Sequence, residues 1–418
     1  MSGYLLGIDA GTTACKIVLF DLNGKVVAES SGEYPIIYPK PTWAEQDPDS
    51  WWKIVVENIQ AVLKKACLNG EEILGIGVDS QREAVVPIDK EGKKLWNSII
   101  WLDKRTLAQA DRIKKLIPMD LVIKITGVPI DYFYSAAKIL WMREEAPEVF
   151  NKAWKLLFPK DYIAYRLTGE IATDYSMASR TMLFDINKLE WSDEICSKLQ
   201  ISMDLLPKVK PSWEIVGEVT KEAANLTGLK KGTPVSCGGG DRPCEALGAG
   251  VIEPGYINIG TGTGTVITTP LAKPKVDEAG RIDCCCHVVP NRWEYEVLIL
   301  TTGASLKWFR DSFCYEELIK GKEEGIDPYV YLDKLAEKVP IGSNGLFYYP
   351  YLMGAKAPKF NNLAKGVFYG FTLGHSKGSF VRAILEGVAF QYAESIEILN
   401  KLGISVKEAS IVGGESKS

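Results

Sequence analysis

Apolar residues come in short blocks over the first thirty positions. Tyr4 to Asp9 is one block, Lys16 to Asp21 a second and Val26 to Ala28 a third, separated by Gly11-Thr12-Thr13 and Asn23-Gly24. Asn-Gly between apolar runs is a hairpin signal. The N-terminus is therefore predicted to be a β-meander with a polar Gly-Thr-Thr tip. The period then changes. Trp52, Val55, Val56, Ile59, Val62, Leu63 and Ala66 recur at helical spacing. Asp47 is placed to cap this helix and Pro48 suits its first position, so the pattern predicts a helix over about 48–68, with Gly70 as its stop. Leu74 to Val78 is an apolar strand that ends at Asp79. Helical and strand periods alternate to about residue 240, with loops at Thr126-Gly127-Val128-Pro129 and Thr168-Gly169-Glu170. That alternation predicts an α/β domain.

Near 232–250 the pattern breaks into glycines around Asp241, and Tyr256-Ile-Asn-Ile-Gly-Thr-Gly-Thr-Gly-Thr follows. Ile8-Asp9-Ala10-Gly11-Thr12-Thr13 aligns with Ile257-Asn258-Ile259-Gly260-Thr261-Gly262, and each opens a β-rich run. Internal duplication accounts for this: two domains, 1–247 and 248–418, each opening with a strand, a Gly-Thr hairpin and a strand. Helices are predicted in the second at Ala304 to Ile319 and Ser379 to Leu402.

Composition narrows the function classes. The chain has 418 residues, 46% apolar and 24% charged, the profile of a globular protein of two or three domains. Lys plus Arg is 49 against 53 Asp plus Glu, so the positive excess of a nucleic-acid binder is missing. No run approaches the ~18 apolar residues of a membrane span, and no secretion signal is legible at the N-terminus. Nine cysteines, none in Cys-x-x-Cys, read as reduced thiols of a cytoplasmic protein. Cys284-Cys285-Cys286-His287 resembles a metal site only superficially, since neighbours on a strand face opposite ways. With His287 and His375 the only histidines, a proton-abstracting group is expected to be a carboxylate.

The chemistry-bearing positions are few. A Gly-Thr hairpin lets backbone N–H groups approach phosphate oxygens without a Cβ in the way. Asp9, just before the first hairpin, suits a hydrated Mg²⁺, and Lys16 adds positive charge. One such hairpin is an ordinary turn; two, one per domain, favour a phosphate clasp between the domains. P-loop, dinucleotide-fold and protein-kinase motifs are absent. Cys237-Gly-Gly-Gly-Asp241 carries an apolar strand through three glycines to one acid. Asp241 there either deprotonates a substrate hydroxyl or caps a helix over Asp241 to Leu247, and both can hold. Ser80-Gln81-Arg82-Glu83 follows a strand end, where ligands of α/β sheets bind. Arg82 and Glu83 suit a polyhydroxyl, or form a solvated ion pair.

Taken together these motifs resemble the FGGY carbohydrate kinases of the actin and heat-shock-chaperone ATPase superfamily. The resemblance spans the chain: Asp9-Ala-Gly-Thr-Thr13, Trp43-Ala-Glu-Gln-Asp-Pro-Asp-Ser-Trp-Trp52, Ile100-Trp-Leu-Asp-Lys-Arg-Thr106, Asp161-Tyr-Ile-Ala-Tyr-Arg-Leu-Thr-Gly169, Gly238-Gly-Gly-Asp241, Gly260-Thr-Gly262, Tyr351-Leu-Met-Gly354 with Pro358, Gly366-Val-Phe-Tyr-Gly370, Leu385-Glu-Gly387 and Gly413-Gly414. It implies two ribonuclease-H-like α/β domains that close on a sugar and ATP. Asp241 would be the general base and would share Mg²⁺ with Asp9. Gly11, Thr12, Thr13, Gly260, Thr261 and Gly262 would hold the ATP phosphates, near the charge of Lys16 already noted, with Gly413 and Gly414 against the nucleoside. Gln81, Arg82, Glu83, Phe133 and Arg242 would bind the substrate. Gln81-Arg82-Glu83 is similar to the glycerol kinases, Arg-Glu also to the autoinducer-2 kinases, and the overall motif order to the xylulose kinases. The expected substrate is thus a small linear sugar or polyol, foremost a xylulose-type ketose. No nucleic-acid or membrane partner is expected, and a homodimer is one assembly open to the chain. Two departures stand out. Glu415 occupies the place of the family's third glycine, and family members continue for several tens of residues past Ser418. On that comparison the second domain is expected to be incomplete, and a non-catalytic sugar-binding protein is the alternative.

Overall fold

The computed structural model describes residues 3–357, 360, 361 and 363–417; Pro358 and Ser418 of the quoted motifs lie outside them. The chain divides into two compact units, one of Met1–Cys244, Lys273–Glu278 and Cys284–Trp293, the other of Glu245–Ala272, Ala279–Asp283 and Glu294–Ser418.

In the first unit the meander forms as its pattern predicts, from strands Tyr4–Ala10, Ala14–Asp21 and Val26–Glu33. The third strand runs five residues past Ala28, because its polar Ser30 and Ser31 lie on a half-exposed edge that needs no apolar run. Strand Ile73–Ser80 joins parallel to the first strand, in a register that sets Asp9 beside Asp79 and Ala10 beside Ser80. Across the sheet the order is Ile215–Glu218, Pro234–Ser236, Ile73–Ser80, Tyr4–Ala10, Ala14–Asp21 and Val26–Glu33. The short strand Gly239–Gly240 also pairs with the end of Ile73–Ser80.

Helix Pro48–Ala66 covers this sheet. Asp47 caps it by accepting from Asp49 N, while the stop is Cys67, at φ 55°, and not Gly70. Gly70 has a different duty: a Cβ there would lie 2.0 Å from Gly228 O. Trp51, Trp52, Val55, Ile59, Val62 and Leu63 bury against Leu6, Ile8, Ile17 and Leu19, each worth roughly 1.5–3 kcal/mol when fully covered.

Two of the quoted motifs meet in a buried cation cage. Arg105 is 1% exposed, its guanidinium 3.8 Å from the Trp43 ring centroid and 4.8 Å from that of Trp141. It pairs with Asp103 at 2.7 Å and Glu45 at 2.8 Å. The Trp43 and Ile100 motifs therefore fasten two loops to each other through one charge.

The second unit repeats the opening device. Strand Tyr256–Thr261 has an antiparallel neighbour, Thr265–Leu271, and a parallel one, Glu408–Gly413. The first strand of the chain likewise has Ala14–Asp21 antiparallel on one side and Ile73–Ser80 parallel on the other. Trp293–Ile299 extends the sheet beyond Thr265–Leu271. The predicted helix Ala304 to Ile319 divides at Cys314 into Gly303–Phe313 and Tyr315–Glu324. The last helix is Lys377–Lys401. Among the described residues no helix is long and apolar enough to cross a membrane.

Candidate active site

The chemistry of the first unit collects where strands Tyr4–Ala10 and Ile73–Ser80 end. The Gly11-Thr12-Thr13 turn leaves the sheet with its carbonyls taken: Tyr34 and Gln81 donate to Gly11 O, Gln46 to Thr12 O, and Tyr34 N to Thr13 O. Gly11 N already donates to Ala14 O, so what the turn has left to offer a ligand is the N–H groups and hydroxyls of Thr12 and Thr13. Trp101 Nε1 holds the Thr12 hydroxyl at 2.8 Å. Lys16 pairs across the ladder with Asp9, and its ammonium reaches Glu29 at 2.7 Å. Desolvation at the strand end pushes the Asp9 carboxyl above its ordinary range; the Asp241 charge adds to this, while a hydrogen bond with Asp79 and the charges of Lys16 and Arg242 oppose it. Among the described residues no three-ligand metal cage exists. One or two carboxylates suit Mg²⁺, which keeps several of its waters.

Asp241 opens helix Asp241–Gly248, so base and helix start are compatible, as the residues alone allowed. Its carboxylate is one-third exposed, 3.2 Å from Arg82 Nε and 2.9 Å from Arg242 N. Gly238 has φ +72° and a Cβ would lie 1.8 Å from Val78 O; at Gly240 a Cβ would lie 2.3 Å from Arg82 Cδ. Glycines are thus required where the loop crosses the sheet end and where it packs on the arginine stem. Next to Arg82, Glu83 is buried at φ 61° and bonds to Arg180 Nε at 2.6 Å. Burial raises its carboxyl although Arg180 and Arg82 pull it down. Phe133 stands edge-on to Trp101, ring centroids 6.2 Å apart, with the Arg180 guanidinium 5.7 Å from its centroid. Arg82, Glu83, Phe133, Asp241 and Arg242 therefore share one neighbourhood. Gln81, at 1% exposed, donates through Nε2 to Gln46 Oε1 and Gly11 O, tying two turns together, while its Oε1 is buried without a hydrogen-bond partner among the described residues.

In the second unit the register sets Thr261 beside Gly413. Gly413 has φ +97°, and a Cβ there would lie 2.1 Å from Thr261 O. The hairpin Gly260–Gly262 and the segment Gly413-Gly414 thus form one surface. Glu415 closes it: Glu415 N donates to Thr261 Oγ1 at 3.2 Å, the Tyr392 hydroxyl donates to Glu415 Oε2, and Oε1 is buried without a hydrogen-bond partner among the described residues.

The N-terminal domain of the FGGY family of carbohydrate kinases matches residues 4–248, and its C-terminal domain matches residues 255–418. The chain belongs to the FGGY family of carbohydrate kinases. A xylulose kinase of Bacillus subtilis (strain 168) is 34% identical over 415 residues, covering 99% of this chain and 81% of the relative. A gluconokinase of the same organism is 35% identical over 419 residues, covering 100% and 81%. The crystal structure of xylulose kinase from Rhodospirillum rubrum superposes with a TM-score of 0.89 at 29% identity, covering 99% of this chain and 82% of that one. An FGGY kinase is an ATP-dependent sugar kinase, and this chain has the family's two-domain α/β fold. The expectation of an incomplete second domain finds no support in these matches, which assign residues 255–418 to the family's C-terminal domain.

Several residues of this candidate site are placed by partners distant in sequence. Lys160 is 1% exposed, with Nζ 2.6 Å from Asp161, 3.2 Å from Asp174 and 2.9 Å from Cys237 O. Trp101, Gln46 and Arg180 likewise bond across long sequence separations, and pairings of that kind have no periodic signature.

Proposed function

We propose that this kinase transfers the γ-phosphoryl group of ATP to a hydroxyl of a small linear sugar or polyol, a xylulose-type ketose first. The observation that carries the reading is Asp241, a partly exposed carboxylate held by Arg82 at the end of a glycine loop. Its carboxylate accepts the hydroxyl proton as the substrate oxygen attacks the γ-phosphorus. One oxygen–phosphorus bond forms, the bond to the β–γ bridging oxygen breaks, and ADP leaves. Arg82 and Glu83 donate to and accept from the other hydroxyls, and Phe133 with Trp101 supplies an apolar wall for the carbon chain. Arg242 lies next to the base. Gly11, Thr12, Thr13 and Lys16 in the first unit, and Gly260, Thr261, Gly262, Gly413 and Gly414 in the second, are assigned to ATP. Asp9 and Asp241 would hold Mg²⁺, which offsets phosphate charge when bound. Orientation and charge neutralisation supply most of the rate in such transfers.

One observation favours a second reading, a sugar acid. Arg82 and Arg180 flank the site's two acids and Arg242 adjoins Asp241, a concentration of guanidinium that suits a carboxylate, and a gluconokinase is among the relatives. Coupled measurement of ADP release over pentuloses, glycerol, erythritol and gluconate separates the two. Asp241→Asn should lower turnover at least about 10²-fold, the size of a lost general base, with sugar binding within a few-fold. A variant that keeps its rate removes Asp241 from the base role.

A further inference from the structure

We infer that Lys160, Asp174 and Ser176 form a buried positioning device for Asp241, an inference that rests on the base role proposed for that residue. The three side chains are at most 1% exposed. They act on the loop that delivers it. Lys160 Nζ donates to Cys237 O at 2.9 Å, at the start of the glycine run. At the other end Gly240 N donates to Ser176 Oγ at 2.9 Å, and that hydroxyl donates to Asp174 Oδ2 at 2.5 Å. Asp174 joins the two grips, since its Oδ1 lies 3.2 Å from Lys160 Nζ and its Oδ2 also accepts from Ser212 Oγ at 2.8 Å. Ser212 O in turn accepts from Gly238 N at 2.9 Å. Three of the four loop residues before Asp241 are thus bonded to one network.

The same node reaches the other half of the sugar site. Lys160 N donates to Ser80 Oγ at 3.0 Å, and Ser80 Oγ donates to Gln81 O at 2.8 Å, one residue before Arg82. Arg82 closes the circuit by pairing with Asp241. Burial works against the charge on Lys160, but the Asp161 and Asp174 carboxylates outweigh it and hold the ammonium above the usual lysine range. A lysine that stays ionised in the interior needs full pairing, and satisfied networks of this kind rigidify what they touch. Gly238, Gly239 and Gly240 bring the conformational freedom that such a clamp must remove. Without it the carboxylate of Asp241 would sample positions away from the attacked hydroxyl, and a displacement near 1 Å can cost about 10² in rate.

The test uses Ser176→Ala, which removes the Gly240 bond without stripping a charge, and Asp174→Asn, which keeps an acceptor oxygen. Turnover, sugar KM, sugar affinity by calorimetry and melting temperature are measured for each, beside Asp241→Asn. The expected result is a fall of about 10–100-fold in kcat in at least one of the two variants, with sugar KM and affinity within about twofold and melting unchanged within a few degrees. A kcat within twofold of the parent in both variants overturns the inference. So does a loss that follows sugar affinity or melting in proportion, which is the mark of a merely structural role. Full activity in Asp241→Asn overturns the base assignment and this inference with it, whereas an inactive Asp241→Asn beside fully active Ser176→Ala and Asp174→Asn overturns this inference alone.

Discussion

Replacing Arg105 by Met should cost the first unit a large part of its stability. The guanidinium lies between the rings of Trp43 and Trp141 and pairs with Asp103 and Glu45, which are 0% and 5% exposed on their side chains. Methionine fills much of the volume but leaves both carboxylates buried without their cation. Breaking a buried pair from one side costs about 3–5 kcal/mol, and the lost contact with the tryptophan faces adds about 0.5–2 kcal/mol. A total of about 3.5–7 kcal/mol, divided by a urea m-value of about 3 kcal/mol/M for a unit of this size, lowers the midpoint by roughly 1.2–2.3 M. Tryptophan emission during urea unfolding reads this directly, since Trp43 and Trp141 report on the cage itself. Arg105→Lys should fall between the two, because an ammonium restores the charge but not the fork that spans two acids. A shift below about 0.3 M for the methionine variant would mean that the cage is worth no more than a surface ion pair, and the reasoning would fail.

Two further outcomes follow from charges elsewhere in the chain. Lys138 is fully buried and donates to Phe133 O; burial pulls its ammonium down to about 8 from the ordinary 10.5, against the attraction of Glu83, Asp103 and Asp131. Between those values the unfolded chain binds a proton that the folded chain does not, so stability rises with pH across that window, by about 3 kcal/mol at 1.36 kcal/mol per unit, and the penalty is fully present below about 8. Urea unfolding at pH 7.5 and pH 10 should show this rise in the parent and not in Lys138→Met; parallel pH dependences would refute it. Glu415→Gln removes a negative charge from the surface shared by Thr261 and Gly413. ATP affinity by calorimetry should tighten several-fold, about 1 kcal/mol for a partly screened repulsion, and an affinity equal to or weaker than the parent's would show that the carboxylate does not oppose the phosphates.

Much of this protein is legible in its sequence. The β-meander, the helix behind Pro48 and the repeated Gly-Thr hairpin are local patterns, because alternation, capping and turn chemistry act between residues a few positions apart. The repeat predicted a shared device in both halves, and Tyr256–Thr261 has the same antiparallel and parallel neighbours as Tyr4–Ala10. The family motifs marked Arg82, Glu83, Phe133 and Asp241, and these lie together. Where local reasoning failed, the cause was a partner distant in sequence. Gly70 looked like a helix stop, yet its lack of a side chain serves a close approach by Gly228.

The sequence by itself determined the elements, the duplication and the family, since each is written in residue type and spacing. Tertiary structure alone decided which charges stand behind the chemistry. Lys160 meets Asp174 and Cys237 O only because three separate segments converge under the glycine loop, and Arg105 finds Glu45 only across two loops. No periodicity encodes such meetings. A buried charge is tolerated only where the whole fold supplies its partners, so its role becomes visible only once the chain has closed around it.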